Sequence, residues 1–88
     1  MNRIQVILTL DMDNLPENFP EILKKEQEIV AIWKEEGFLE HLFLRQAKNG
    51  AVLIFKEIDE EKVKELMQTL PFYQLKKSIE YYNLMQQF

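Results

Sequence analysis

The stretch LEHLFLRQAKNGAVLIFKEI (residues 39–58) decides the fold of this chain. It contains two segments, 39–47 and 51–58, that are rich in the aliphatic and aromatic residues typical of β-strands. Between the two segments lies Asn49-Gly50, the residue pair that a two-residue type I′ turn favours. The stretch therefore predicts a β-hairpin.

A two-residue turn would also fix the register of this hairpin, with His41 opposite Ile58. Because successive side chains of a strand point to opposite faces, alternate residues of the first strand lie together on one face of the sheet. The residues expected to share that face are Leu39, His41, Phe43, Arg45 and Ala47.

An amphipathic helix is predicted on each side of the hairpin. Residues 21–36 carry apolar side chains at spacings of three, four and seven, and Gly37 follows as a C-cap. Downstream, Asp59 is the N-cap of a second helix, which ends at Pro71. The apolar stripes are Ile22, Leu23, Ile29, Val30 and Trp33 in the first helix, and Val63, Leu66, Met67 and Leu70 in the second.

Two outer strands complete the pattern. Residues 3–11 alternate between apolar and polar side chains, and residues 74–84 form a less regular strand. The resulting order, β-α-β-β-α-β, predicts an α+β ferredoxin-like domain over residues 1–88, with a four-stranded antiparallel sheet and both helices on one face. Because the strands also place apolar residues on the other face, we expect a second copy to cover it in a homodimer or higher homo-oligomer.

Composition excludes several classes of protein. The 88 residues are 47% hydrophobic and 11% aromatic, with a net charge of −4 and no basic cluster, which argues against nucleic-acid binding. Without cysteine there is neither a disulfide framework nor a thiolate metal site. No apolar run approaches the roughly 20 residues of a membrane span. No signal-peptide pattern opens the chain, so the expected location is the cytoplasm, without membrane association.

Glu26 stands where the first helix should carry an apolar residue. At roughly 100° per residue it lies near the centre of the apolar stripe. One interpretation is structural, with the carboxylate paired to Arg45 or Lys77. The other is functional: a carboxyl in an apolar cleft, with a pKa raised toward neutrality, can remove and return a carbon-bound proton.

His41 is the second candidate for acid–base chemistry, because it is the only histidine and imidazole titrates near neutral pH. The alternative is an ordinary surface or core residue. Glu26 and His41 are therefore the predicted catalytic residues, and neither a metal nor a cofactor is expected. The side chains expected to line a small substrate-binding pocket are Trp33, Phe43, Arg45, Phe55, Phe72 and Tyr73.

Several short motifs, in order, resemble those of the muconolactone isomerase family. They span nearly the whole chain, and the spacing from Gly37 to Pro71 fits the family without a gap. The matching features are Leu15-Pro16 before the first helix, Lys25-Glu26 within it, Gly37 at its end, His41 four residues later, Ile54-Phe55 in the third strand and Leu70-Pro71-Phe72.

The resemblance implies a ferredoxin-like fold that dimerises through its sheets into a dimeric α/β-barrel. It also implies cofactor-free isomerase activity in aromatic-compound catabolism, in which a double bond shifts within a carboxylated butenolide. Glu26 and His41 match polar positions of the family's pocket. Two departures concern this activity: the arginine expected three residues after the histidine is Leu44, with Arg45 one place later on the opposite strand face, and an expected proline is Gln74.

Four functional hypotheses follow. The first is a proton-shifting isomerase acting on a small unsaturated lactone or carboxylic acid, in which Glu26 moves the proton and His41 orients or protonates the substrate. The second is a small-molecule-binding domain that leaves its ligand unchanged. The third is a structural or protein-interaction module in which Glu26 is ion-paired. A cofactor-free oxygenase on the same scaffold is the fourth.

Overall fold

The computed structural model describes residues 2–88, and Met1, the first residue of the predicted 1–88 domain, lies outside them. Short 3₁₀ helices at Met12–Asn14 and Pro71–Leu75 precede α1 and β4, respectively. The four strands form one antiparallel sheet in the order β2-β3-β1-β4, which confirms the predicted ferredoxin-like α+β fold. The main elements are β1 (Asn2–Leu10), α1 (Phe19–Glu36), β2 (Leu39–Leu44), β3 (Gly50–Lys56), α2 (Glu60–Thr69) and β4 (Lys76–Met85).

The hydrophobic core lies between the two helices and one face of the sheet, which we call the helix face. Every second residue of β1 and β3 is buried there, as the period of a half-buried strand requires. Trp33 of α1 and Val63 and Met67 of α2 pack onto these strands. The strand residues of this core are Ile4, Val6, Leu8, Leu39, Ala51, Leu53 and Phe55. No helix in residues 2–88 has the length and apolar character required to cross a bilayer.

The opposite face of the sheet, here called the open face, is not covered by either helix. The β1–β3 and β1–β4 pairing places half-buried Ile7 and Val52 at its centre and Tyr82 beside them. Phe43 of the edge strand β2 pairs with Val52 and is 57% exposed. The open face is thus a continuous surface with a substantial apolar share.

The hairpin loop is longer than the sequence predicts. Leu44 pairs with Ala51, so five residues, 45–49, connect β2 to β3, and His41 lies opposite Ile54 rather than Ile58. Gly50 does not serve the turn. It belongs to β3, where a Cβ atom would lie 2.0 Å from the carbonyl oxygen of Leu8. Glycine is required there by the close approach of β1, which a turn pattern cannot reveal.

A bulge in β2 changes which side chains share a face. The register with β3 shifts between Leu39, which pairs with Phe55, and His41. Leu39 is consequently buried on the helix face, whereas His41 and Phe43 lie on the open face. The predicted common face of Leu39 and His41 was therefore wrong, because an extra residue in one strand reverses the alternation that follows it.

Other element boundaries differ by a few residues from the prediction. The first helix begins at Phe19, two residues early, because Pro20 is tolerated in a first helical turn. The last strand begins at Lys76, since Gln74 belongs to the 3₁₀ helix that follows Pro71. The predicted caps are confirmed: Gly37 is left-handed (φ 93°), and an Asp59 carboxylate oxygen accepts the Lys62 N–H at 2.8 Å.

Candidate functional site

Glu26 is the one charged residue in residues 2–88 that is buried, with 8% of its surface exposed. It lies on the inner side of α1, where the 3₁₀ helix Pro71–Leu75 packs against that helix. Its Oε1 accepts a hydrogen bond of 3.0 Å from the backbone N–H of Phe72. Neither Arg45 nor Lys77 pairs with it, so the ion pair considered from the sequence is absent from the described chain.

This environment makes Glu26 a weak acid near neutral pH. Burial disfavours the carboxylate and raises the pKa of Glu26 from 4.5 to about 7, although the hydrogen bond from Phe72 acts in the opposite direction. A single backbone donor compensates only part of the desolvation cost of a carboxylate. At physiological pH the group is divided between its acid and base forms, as required of a group that both takes and returns a proton.

An apolar pocket of about 400 Å³ lies on the helix face of the sheet, and Glu26 is not among the residues that line it. Leu23, one helical turn before Glu26, forms part of the wall of this pocket. Phe72 forms another part, and its ring stacks on Phe19 with 5.5 Å between the ring centroids. The carboxyl group is thus held directly behind two residues of the wall. The residues that line the apolar pocket are Leu10, Met12, Phe19, Leu23, Leu44, Lys48, Gly50, Ala51 and Phe72.

Of the six predicted substrate-binding residues, only Phe72 lines this pocket. Trp33 and Phe55 pack against each other in the core, with 5.8 Å between their ring centroids. Tyr73 is half-buried beside the core, and the Lys76 ammonium lies 3.9 Å from the centre of its ring. These three aromatic residues therefore pack in or against the core rather than lining the apolar pocket.

The remaining predicted site residues lie on or toward the open face. His41 is stacked on Phe43, with 5.7 Å between the ring centroids, and its Nε2 is 4.0 Å from a carboxylate oxygen of Glu40. Arg45 donates from its guanidinium to the Thr9 hydroxyl oxygen at 3.1 Å. His41 thus pairs on the open face of the sheet, whereas Glu26 belongs to a helix that packs on the helix face.

His41 instead borders a second groove at the edge of the sheet. This groove of about 420 Å³ runs between β2 and the side of α1 that carries Gln27 and Lys34. It does not include Glu26. The structure therefore gives the two predicted catalytic residues separate surroundings rather than one shared site.

Sequence reasoning missed most residues of the apolar pocket. Phe19 and Met12 precede the predicted helix, and Leu44 and Lys48 belong to the hairpin end that the sequence placed in strand and turn. The aromatic Phe19 beside Pro20 is a local signal that could have indicated packing at the helix entry. No comparable signal exists for Lys48, because its position depends on the true loop length.

No group of three or more histidine, cysteine, aspartate or glutamate side chains in the described part of the chain is arranged to hold a metal ion. The carboxylate of Glu40, unlike that of Glu26, is hydrogen-bonded to a cation and paired with its charge. The Arg3 guanidinium donates to Glu40 at 2.7 and 3.1 Å and lowers the pKa of that carboxyl. Among residues 2–88, Glu26 thus differs from that carboxylate in being buried without a cationic partner.

No protein-family model matches the sequence, and no curated protein matches it either. Solved structures do match its fold. One is 5-chloro-2-hydroxyhydroquinone dehydrochlorinase from Burkholderia phenoliruptrix, in complex with 2,5-dihydroxybenzoquinone, at 10% identity and a TM-score of 0.64, covering 94% of this chain and 93% of that one. Another is an antibiotic biosynthesis monooxygenase, at 16% identity and a TM-score of 0.60, covering 98% of both chains.

The strongest of the three similarities is to muconolactone isomerase. The identity is 21% and the TM-score 0.79, and the match covers 96% of this chain and 88% of that one. The fold implied by the sequence resemblance is therefore confirmed, while identity at this level carries no statement about activity. The chain has the fold of muconolactone isomerase.

Proposed function

We propose that this protein is a cofactor-free, proton-shifting isomerase that acts on a small unsaturated lactone or carboxylic acid in the apolar pocket. The observation that supports it most directly is Glu26, a buried carboxyl without a cationic partner in residues 2–88, held behind the pocket wall with a pKa of about 7. A pocket of about 400 Å³ falls within the range of small-molecule sites. The fold shared with muconolactone isomerase agrees with this chemistry.

The proposed reaction requires one group that carries a proton between two carbons. The Glu26 carboxylate takes a proton from the carbon beyond the double bond of an α,β-unsaturated lactone, and the C–H electron pair becomes a new C=C bond. The original C=C electrons shift toward the carbonyl group. The same carboxyl, now protonated, returns the proton to the carbon beside the carbonyl, so no atom or electron is gained or lost.

In this proposal both proton transfers are assigned to Glu26, and neither a metal nor a cofactor is included. The additional role for His41, orienting or protonating the substrate, stays a prediction. His41 does not line the apolar pocket within one chain, and in this proposal another copy brings it there. A cytoplasmic location and a part in aromatic-compound catabolism are likewise predictions that accompany this proposal.

The function is tested with muconolactone as the probe. Incubation of the lactone with the protein, followed by ¹H NMR, should show the double-bond shift as a change in the vinyl proton signals of the lactone. Binding of the lactone without a double-bond shift would identify a small-molecule-binding domain instead. If the lactone neither bound nor isomerised, the proposal would be contradicted for this class of substrate.

A homodimer or higher homo-oligomer is proposed as well, assembled through the open face. Ile54, half-buried at its centre, should be covered by the second sheet, so Ile54→Lys would place a charge in a desolvated interface. We expect the wild type to sediment as a dimer or larger at micromolar concentration and the variant as a folded monomer. Ile32→Lys, on an exposed site of α1, is the matched control and should leave assembly unchanged. A monomeric wild type would contradict this assembly.

A further inference from the structure

We infer that Lys48 is the anion-recognising residue of the apolar pocket, which makes the preferred ligand a small carboxylate with an apolar body. The inference rests on the proposed function, because it concerns the same pocket and names its ligand class more closely. It assigns a binding role to a hairpin-loop residue that no short sequence motif distinguishes.

Within residues 2–88, the apolar pocket contains a single positive charge. Among the described residues that line it, Lys48 is the one charged side chain, and the remaining eight offer hydrocarbon or backbone. This positive group stands out on a protein whose net charge is −4. Small-molecule pockets are commonly apolar, with a few polar groups that fix the orientation of the ligand. A lone ammonium at an apolar cavity favours a ligand with one anionic end.

Lys48 is also available for such a contact. No carboxylate of residues 2–88 forms an ion pair with its ammonium group. Its neighbour in the loop, Arg45, instead donates to Thr9, whose side chain lies on the open face. Leu44, which lines the pocket beside Lys48, contributes no charge. Of the two cations in the loop, Lys48 is the one placed to meet a ligand in the pocket.

The loop holds the backbone of Lys48 in place. Lys48 adopts the left-handed conformation (φ 59°), which is uncommon for a residue with a side chain, and its N–H donates to the Arg45 carbonyl at 2.8 Å. The next residue, Asn49, accepts the Leu10 N–H at 2.8 Å through its backbone carbonyl. The loop is thereby tied to β1 at the pocket, so the long side chain starts from a fixed point.

The pocket therefore has two chemically different sides. Lys48 enters from the hairpin, and Glu26 lies behind Leu23 and Phe72 on the helix side. A ligand whose carboxylate binds Lys48 would keep its negative charge away from Glu26. Its apolar body, with the reacting carbons, would then face the wall in front of the Glu26 carboxyl.

The test compares two probes of equal shape, 3-phenylpropanoate and 3-phenylpropanamide. Binding to the full chain is followed by methyl NMR shifts of Leu44 and Ala51, which line the pocket. We expect the wild type to bind the carboxylate about tenfold more tightly than the amide, a difference that corresponds to one charge-assisted contact. In Lys48→Gln that preference should disappear, while the affinity for the amide stays the same. Lys62→Gln, which removes an equal charge from α2, is the control and should keep the preference.

The outcomes separate this inference from the proposed function. Equal affinity of the wild type for both probes, or a preference that survives in Lys48→Gln but disappears in Arg45→Gln, would overturn the role of Lys48. The apolar pocket and Glu26 would then keep their proposed function, since the probes still bind. If neither probe moved the pocket methyl signals, the ligand class and the pocket itself would both be contradicted. The double-bond shift in muconolactone, followed by ¹H NMR, tests Glu26 independently of these affinities.

Discussion

Glu26→Gln is expected to lower the rate of the double-bond shift in muconolactone by about 10²–10⁴-fold, the usual contribution of one acid–base group. Glutamine is nearly equal in size and can still accept the Phe72 N–H, but it cannot carry a proton. Binding of the lactone should therefore persist while turnover is lost. The rate is measured by ¹H NMR as the conversion of the vinyl proton signals of the lactone into those of its isomer.

Glu28→Gln is the matched control for this loss. Glu28 lies two residues further along α1 and is exposed, so the same substitution there removes a carboxylate that water already solvates. It should leave turnover unchanged. With the wild type, kcat/KM should rise with pH through about 7 as Glu26 becomes the base form, and then level off. Full turnover in Glu26→Gln would remove Glu26 from the mechanism.

The second large effect concerns stability. The folded state holds the Glu26 proton up to a pKa of about 7, whereas the unfolded chain releases it near 4.5. Between these values the folded state binds more protons, so the free energy of unfolding falls as pH rises and is flat above the window. The expected loss between pH 4.5 and pH 7 is about 3 kcal/mol, a large share of the stability of a small protein.

In Glu26→Gln this dependence should be absent, because the amide does not titrate. The variant is therefore expected to be more stable than the wild type at pH 8 and close to it at pH 5. Urea denaturation at a series of pH values measures the difference, with Glu28→Gln as the control that keeps the wild-type slope. Parallel stability curves for the wild type and Glu26→Gln would show that Glu26 ionises freely in the folded state.

Other carboxylates act at lower pH and do not obscure this window. The pKa of Glu40 is lowered chiefly by its hydrogen bond from Arg3, and that of Glu60 chiefly by its contact with Lys64. Both carboxylates stabilise the folded state above their ordinary pKa, and this contribution is lost as pH falls below it. Their effect has the opposite sign to that of Glu26, so the two can be separated by pH.

Local patterns predicted the elements and their order. The apolar stripe of residues 21–36 and the caps at Gly37 and Asp59 were recognisable because capping and helical periodicity depend on neighbours within a few residues. The anomalous position of Glu26 on that stripe was recognisable for the same reason. Its burial is confirmed, and it is the part of the candidate site that the sequence revealed.

The pocket could not be predicted because it depends on contacts between distant segments. Gly50 looks like a turn residue, yet the close approach of Leu8 is what requires it. The resulting five-residue loop brings Leu44 and Lys48 to the pocket, and the bulge after Leu39 turns His41 to the other face. A one-residue change in register reverses every side chain beyond it, so small errors in pairing displaced several predicted site residues.

The role of Glu26 as the proton carrier is tested most directly by a pH titration of its side-chain carboxyl carbon, followed by ¹³C NMR in the folded wild-type protein. We expect a midpoint near pH 7, shifted upward from 4.5 by burial. A midpoint at or below 4.5 would mean that the Glu26 carboxylate is solvated or ion-paired. That result would contradict its role as the proton carrier.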